Sequence, residues 1–196
     1  TNGAVGSLRY RVGVHTVGGH SYGKFGNLNA IQVLSSIINT LYTYKVPTAG
    51  RSTYNVGTIS GGTSINTIAQ YAEMRFEYRS DVRESLADMN KFFLSVLEAY
   101  RNMDHVQVDC ELLGERPCTG DVDPEKQGAL ENKALDIIEA YTGKRVGCYA
   151  SSTDSNIPLS VGVPSICFGG HMGVGAHTRE EWLNVKDLEV GMKVVA

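Results

Sequence analysis

No apolar stretch among the 196 residues approaches the ~20 needed to cross a bilayer, and the longest helical apolar pattern is broken by Asn, Thr and Tyr. No membrane span is expected. An excess of basic residues is also missing. A net charge of -3 and a pI near 5.9 provide no cationic face to neutralise phosphates, which argues against nucleic acid and for small substrates or protein partners. Cysteine is scarce: Cys110, Cys118, Cys148 and Cys167 show no CxxC spacing and are too few for a disulfide scaffold. Buried free thiols are therefore expected, and a cytoplasmic location with them. Neither GxxxxGK[ST] nor GxGxxG follows a strand-like segment, which disfavours a nucleotide or phosphate binder on the glycine loops. Low-complexity tracts are absent as well, and 42% hydrophobic with 20% charged residues supply enough apolar mass for a folded chain throughout.

What is present begins with a period of two. Tyr10, Val12 and Val14 alternate with Arg9, Arg11 and Gly13, the pattern of a strand with one covered face. After a glycine-rich stretch, Asn29 is placed to cap a helix carrying Ile31, Leu34, Ile38 and Leu41 and ending before Pro47. Thr53 to Ile59 reads as a second strand. Gly61-Gly62 reads as a turn, and Ala72, Met74, Phe76 and Tyr78 as the apolar face of a third strand whose other face is Glu73, Arg75, Glu77 and Arg79. Asp81 with Glu84 resembles a capping box ahead of a helix with Leu86, Met89, Phe93, Val96 and Tyr100. A fourth strand follows, with Val106, Val108, Cys110 and Leu112 inward. The order β-α-β-β-α-β, with each strand apolar on one side only, predicts a ferredoxin-like α+β module: a four-stranded antiparallel sheet covered on one face by two helices.

This module is expected to end near Pro117, giving a first domain over 1–117 and a second region over 118–196. In the second region Asp123-Pro124 opens a helix that stops at Gly143. Short apolar runs around Ile157 to Val163 and Pro164 to Phe168 suggest strands buried on both faces of an α/β sheet. Too few elements follow Asp123 to build a doubly covered sheet, so this region is expected to be part of a larger α/β domain and to expose apolar surface.

Several polar groups sit where glycines let a ligand approach the backbone. His20, beside Gly18-Gly19, can polarise a substrate carbonyl or merely hydrogen-bond its own turn. Asn66 and Arg79 suit substrate binding, by amide and by guanidinium, or else are a turn asparagine and a cross-strand ion pair with Glu77 or Glu73. Ser152 and Thr153 can line a pocket, although a Ser-Thr-Asp run is commonly a helix N-cap, the role expected for Asp154. His177, on a glycine-rich loop, is the best metal-ligand candidate, its alternative being a loop or cap histidine. His15, His105 and His171 have no evident partner.

Taken in order, Gly18-Gly19-His20-Ser21, then GGTSIN ending at Asn66, FEYRS around Arg79, SSTDSNIPLSVGVPS containing Ser152 and Thr153, and GAHTREEW containing His177 resemble the di-zinc peptidase family. That family includes peptidase T, carboxypeptidases of the G type, aminoacylase and succinyl-diaminopimelate desuccinylase, and the resemblance runs from about Val5 to Val195. It implies that 1–117 is a dimerisation (lid) domain and 118–196 the C-terminal portion of a catalytic domain. It further implies that His177 is a zinc ligand, that His20 and Asn66 steady an oxyanion in the partner's site, that Arg79 binds a substrate carboxylate, and that Ser152 and Thr153 face the substrate. Two zinc ions, a peptide or N-acyl amino acid substrate and a homodimer with a continuous sheet are implied in the same way. The family's HxD pair, bridging Asp, Glu-Glu pair and further carboxylate ligand are not found here: the chain has no HxD, and its one Glu-Glu, Glu180-Glu181, follows His177. The expectation is a metallopeptidase or amidohydrolase lacking the first half of its catalytic domain in this chain, with zinc weak or absent and the fragment inactive alone; the alternative is a non-catalytic dimerisation module.

Overall fold

The computed structural model describes residues 1–196, which separate into two compact units: Val5–Cys118, and Thr1–Ala4 together with Thr119–Ala196. The first unit contains strand β1 (Gly6–His15), helix α1 (Ala30–Leu41), strands β2 (Ser52–Gly61) and β3 (Tyr71–Ser80), helix α2 (Arg83–Arg101) and strand β4 (Gln107–Arg116). The sheet order is β2-β3-β1-β4 and every neighbouring pair is antiparallel. This is the ferredoxin-like arrangement that the alternation predicts. Leu8, Tyr10, Val12 and Val14 of β1 and Ala72, Met74, Phe76 and Tyr78 of β3 form the floor of the core, and α1 and α2 close it with Leu34, Ile37, Met89 and Phe93. Burying each such side chain stabilises the fold by about 1.5–3 kcal/mol before conformational entropy is counted. At the centre, the Tyr78 and Tyr10 hydroxyls both donate to Asn90 Oδ1, at 2.5 and 3.2 Å, so polar atoms drawn into the core are satisfied.

The helix caps divide between expectation and correction. Asn29 caps α1 by accepting from the Ile31 amide at 2.9 Å. The buried stripe of α1 is Ala30, Val33, Leu34, Ile37 and Leu41, rotated from the predicted one, and Ile31 is left 39% exposed. The Asp81–Glu84 capping box does not form. The N-cap of α2 is Val82, and Asp81 instead accepts from the Arg51 amide at 2.7 Å, tying the start of β2 to the end of β3. Leu112 is also corrected: a bulge in β4 opposite Arg9 and Tyr10 inserts Leu113, and Leu112 is 48% exposed on this edge strand. Cys118 is buried, as expected of a free thiol here, but Cys148 is exposed and Cys110 and Cys167 are half-buried.

In the second unit, α3 (Pro124–Thr142) starts at Asp123, whose carboxylate accepts from the Glu125 and Lys126 amides, and ends at Gly143 with φ 71°. Both caps are as predicted. None of the residues of α3 is buried, and Tyr149, Ile157, Val161, Met172, Trp182 and Met192 are largely exposed, the apolar surface that too few covering elements leaves. The apolar runs after Asn156 are not buried strands. Residues Asn156–Ser160 form the short helix α4, and 163–168 carry no regular structure. The turn at 153–156 decides this: Asn156 Oδ1 accepts from the Thr153 amide at 2.8 Å and Thr153 Oγ1 from the Ser155 amide at 3.3 Å, nucleating helix rather than strand. Asp154 is not the cap; Ser155 holds that position. Gly3–Ala4 pairs in parallel with Ala150–Ser151, Gly173–Val174 pairs antiparallel with Trp182–Leu183, and α5 (Asp187–Val195) packs against α3. No helix is long and apolar enough to cross a membrane.

Replacing Asn29 with Ala leaves the Ile31 amide without its side-chain acceptor. Urea unfolding should show a loss of about 1 kcal/mol at unchanged m-value.

Candidate functional site

The loops after β1 and before β3 are drawn together by backbone pairing. Gly19 pairs with Ile68 and His20 with Thr67, and the Ser21 amide donates to the Asn66 carbonyl at 2.9 Å. Gly18 and Gly62, at φ 65° and 75°, make the sharp reversals that bring the two loops level. His20 is exposed, and its Nδ1 accepts from the amides of Tyr22 and Gly23, both at 3.3 Å. This fixes the ring's orientation and directs Nε2 away from its own turn. Asn66 Oδ1 accepts from Ser64 Oγ at 2.5 Å, which orients the amide. The imidazole and the amide thus stand on one pair of loops at one end of the sheet.

Arg79 lies at the other end. It is opposite Ser7 in β1 and Thr53 in β2, eight positions along β3 from Tyr71, roughly 26 Å of extended strand. Its guanidinium is held by Glu77, Nε to Oε1 at 3.1 Å and Nη2 to Oε2 at 3.0 Å, while Arg9 Nε reaches the same carboxylate at 3.2 Å. Burial pushes the Glu77 carboxyl up, but the hydrogen bonds and charges of Arg79 and then Arg9 outweigh it and leave it below the usual range. Two cations share one carboxylate at this end of the open face.

Ser152, Thr153 and His177 belong to the second unit. Ser152 and Thr153 are half-buried at the start of the turn that leads into α4. His177 is exposed, has a left-handed backbone at φ 68°, and its amide donates to Glu181 Oε2 at 3.2 Å. No group of three His, Cys, Asp or Glu side chains converges in this chain as a metal site, so His177 offers one imidazole and not a complete ligand set.

The open face also holds a network that spacing did not disclose. Arg11 reaches Glu111 at 2.9 Å, Asp109 at 3.1 Å and Glu73 at 3.6 Å, and donates to the Tyr71 hydroxyl at 3.1 Å. His15, read as partnerless, contacts Asp109 at 3.0 Å and lies against the Tyr71 ring at 4.7 Å. Asp109 can lie across β1 because Gly13 is opposite it, where any Cβ would overlap the carboxylate. Strand register creates these contacts, and register is not visible in one strand at a time.

Residues 2–101 match the model of the M20 peptidase dimerisation domain. The chain belongs to the M20 peptidase family. Among solved structures, this dimerisation domain and the unit that follows it are similar to the aminopeptidase PepT of Bacillus cereus ATCC 10987, with 18% identity, TM-score 0.74 and coverage of 100% of this chain and 51% of that one. They are also similar to an aminobenzoyl-glutamate utilization protein of Klebsiella pneumoniae, at 16% identity, TM-score 0.69 and 98% and 47% coverage. A hydantoinase/carbamoylase family amidase of Burkholderia vietnamiensis aligns at 14% identity, TM-score 0.68 and 98% and 46% coverage. The chain spans about half the length of each of these proteins. No curated protein matches it.

The Glu77 carboxyl, depressed in the folded state, contributes stability that is present above its ordinary value of 4.5 and lost as pH falls through the folded value. Glu77→Gln should therefore lower stability at pH 7, and the gap to the parent should close on acidification. A gap that stays constant down to about pH 2, well below any carboxylate range, would mean that the arginines do not hold Glu77 by charge.

Proposed function

We propose that the intact protein is a metal-dependent hydrolase of peptide or N-acyl amino acid bonds, and that 1–117 act as its dimerisation lid while 118–196 contribute to the catalytic domain. What supports this reading is that His20 and Asn66 stand on adjoined loops, His20 paired with Thr67 and the Ser21 amide with the Asn66 carbonyl, within an M20 dimerisation domain. An oriented imidazole and amide are the donors a tetrahedral oxyanion requires. Arg79, steadied by Glu77, is suited to a substrate carboxylate, and Ser152 and Thr153 to lining the pocket. His177 would be one zinc ligand beside others that this chain does not carry; when bound, the metal would polarise the scissile carbonyl and activate water.

His20 and Asn66 are separated from Arg79 by the length of the sheet, so one copy does not bring all of them to a single small substrate. The reading accommodates this if a site uses Arg79 of one copy with His20 and Asn66 of another, in a homodimer. A non-catalytic dimerisation module remains the second reading, favoured by the incomplete ligand set within this chain.

The intact, zinc-loaded protein should hydrolyse members of a panel of dipeptides and N-acyl amino acids, and chelation should abolish turnover. His20→Ala should lower kcat by roughly 10²–10³-fold with little change in KM, whereas Arg79→Ala should mainly raise KM. Heterodimers made by co-expressing the two variants should regain about half the parent activity, since one of two shared sites is then intact. No gain on mixing would place all the groups in one copy; no activity on any substrate would leave the non-catalytic reading.

A further inference from the structure

The loops that carry His20 and Asn66 also carry the most exposed apolar side chains of the chain. Ile65 is fully exposed and Phe25 and Tyr22 are 92% and 91% exposed, whereas no other large apolar side chain exceeds 72%, even in the second unit, where covering elements are few. Ile65 immediately precedes Asn66, and Tyr22 and Phe25 follow His20 in the same loop. A single exposed apolar residue needs no explanation, but three at the extreme of the range beside two oriented hydrogen-bonding groups do. Charge is nearly missing from the same place. Residues 16–27 include only Lys24 among Asp, Glu, Lys and Arg, and residues 61–70 include none.

Backbone pairing puts the three side chains on one tip. The Ser21 amide donates to the Asn66 carbonyl at 2.9 Å, so Tyr22 and Ile65 each adjoin a member of that pair. The loop bearing Tyr22 and Phe25 is tied to itself: the Lys24 amide donates to the His20 carbonyl at 2.9 Å, the Asn27 amide to the Lys24 carbonyl at 3.1 Å, and the Asn27 side-chain amide to the Gly18 carbonyl at 2.6 Å. Lys24 Cβ and Cγ lie 2.9 Å from where a Cβ on Gly19 would stand, so the loop closes tightly. The Tyr22 amide, not its ring, orients the His20 imidazole. Neither aromatic ring is therefore spent on holding its own turn. Apolar side chains on a slack loop can fold back to escape water, whereas rings kept out by a hydrogen-bonded turn are preorganised for contact.

We propose that Tyr22, Phe25 and Ile65 determine specificity, covering an aliphatic or aromatic group that flanks the scissile carbonyl while His20 and Asn66 hold its oxygen. Binding sites combine apolar walls with a few placed polar groups. Here the imidazole and the amide are the polar groups and the three side chains are the wall. A substituent of the carbonyl cannot be remote from its oxygen, so it meets whatever surrounds the donors. Neither loop has a carboxylate to pair with an ammonium group, and Lys24 is the one cation for an acid. The inference rests on the hydrolase reading above and adds to it the substrate class: peptides or N-acyl amino acids with an apolar side chain or acyl group at the scissile bond.

The test uses the intact, zinc-loaded protein and compares kcat/KM for matched substrates that carry leucine or phenylalanine, or else serine, aspartate or lysine, at the scissile bond. Calorimetric binding of tetrahedral phosphinate analogues with a leucine-like or a serine-like side chain gives a second readout that needs no turnover. The parent should favour the apolar member in both. Tyr22→Ala, Phe25→Ala and Ile65→Ala should each lower kcat/KM for the apolar substrates by roughly tenfold or more, with the leucine-like analogue weakened in step and the serine members little changed. Thermal melts should match the parent, because the replaced side chains are exposed; should Phe25→Ala disturb its loop, Ile65→Ala on the other loop decides. A parent that shows no preference for apolar members, or variants that lose apolar and polar members in equal proportion, overturns the inference and leaves the hydrolase reading standing. A parent with neither turnover nor phosphinate binding overturns the hydrolase reading and this inference with it.

Discussion

The pairing of β1 with β3 is the constraint on which the rest of the dimerisation domain depends. It runs without a bulge from Gly6 opposite Ser80 to His15 opposite Tyr71. Because side chains alternate strictly, this one register settles the faces of both strands: Tyr10, Val12, Met74 and Phe76 go to the helices, and Arg9, Arg11, Glu73 and Glu77 to the open side. A slip of one residue would put the arginines and glutamates under α1 and α2, at several kcal/mol for each unpaired charge. The same register places the His20 and Asn66 loops at the Tyr71 end and Arg79 at the other.

Charge is distributed over this frame unevenly, with physical consequences. On the open face the ions neutralise one another in cross-strand contacts: Glu77 is shared by Arg9 and Arg79, and Arg11 by Glu73, Asp109 and Glu111. Exposed pairs of this kind contribute little individually, roughly 0–1 kcal/mol each. Their effect is to fix geometry, since an arginine gripped at two nitrogens is held in place, and the face is left polar. On the α1–β2 flank neither element carries Asp, Glu, Lys or Arg, and Ile31 and Ile59 are exposed there. One domain thus presents a charged face and an uncharged flank.

Much of this was legible in residue patterns because the deciding forces were local. Alternation along β1 and β3 and the chemistry of Asn29, Asp123 and Gly143 act within a few residues of themselves. The failures share a cause. Asp81 has the composition of a capping box, but the Arg51 amide, thirty positions away, competes for its carboxylate and wins. The buried stripe of α1 shifts onto Ala30 and Val33 because the sheet, not the helix, determines which face is covered. Residues 156–160 have an apolar content that suits either a buried strand or a helix, and the side chains of Thr153 and Asn156 decide for helix. At the candidate site, the types of His20, Asn66 and Arg79 could be picked out, whereas the His15–Asp109–Arg11 network could not, since only register sets Gly13 opposite Asp109.

The two-ended layout bears on why such a domain would be tied to association. In this topology the connections alternate between the ends of the sheet, so a group on the loop after β1 and a group at the end of β3 are kept apart by the full length of two paired strands. Rigid pairing over ten residues does not bend to close that distance. A reaction that needs both groups on one small substrate must then take them from different copies, and the free energy of association becomes part of the free energy of assembling the site.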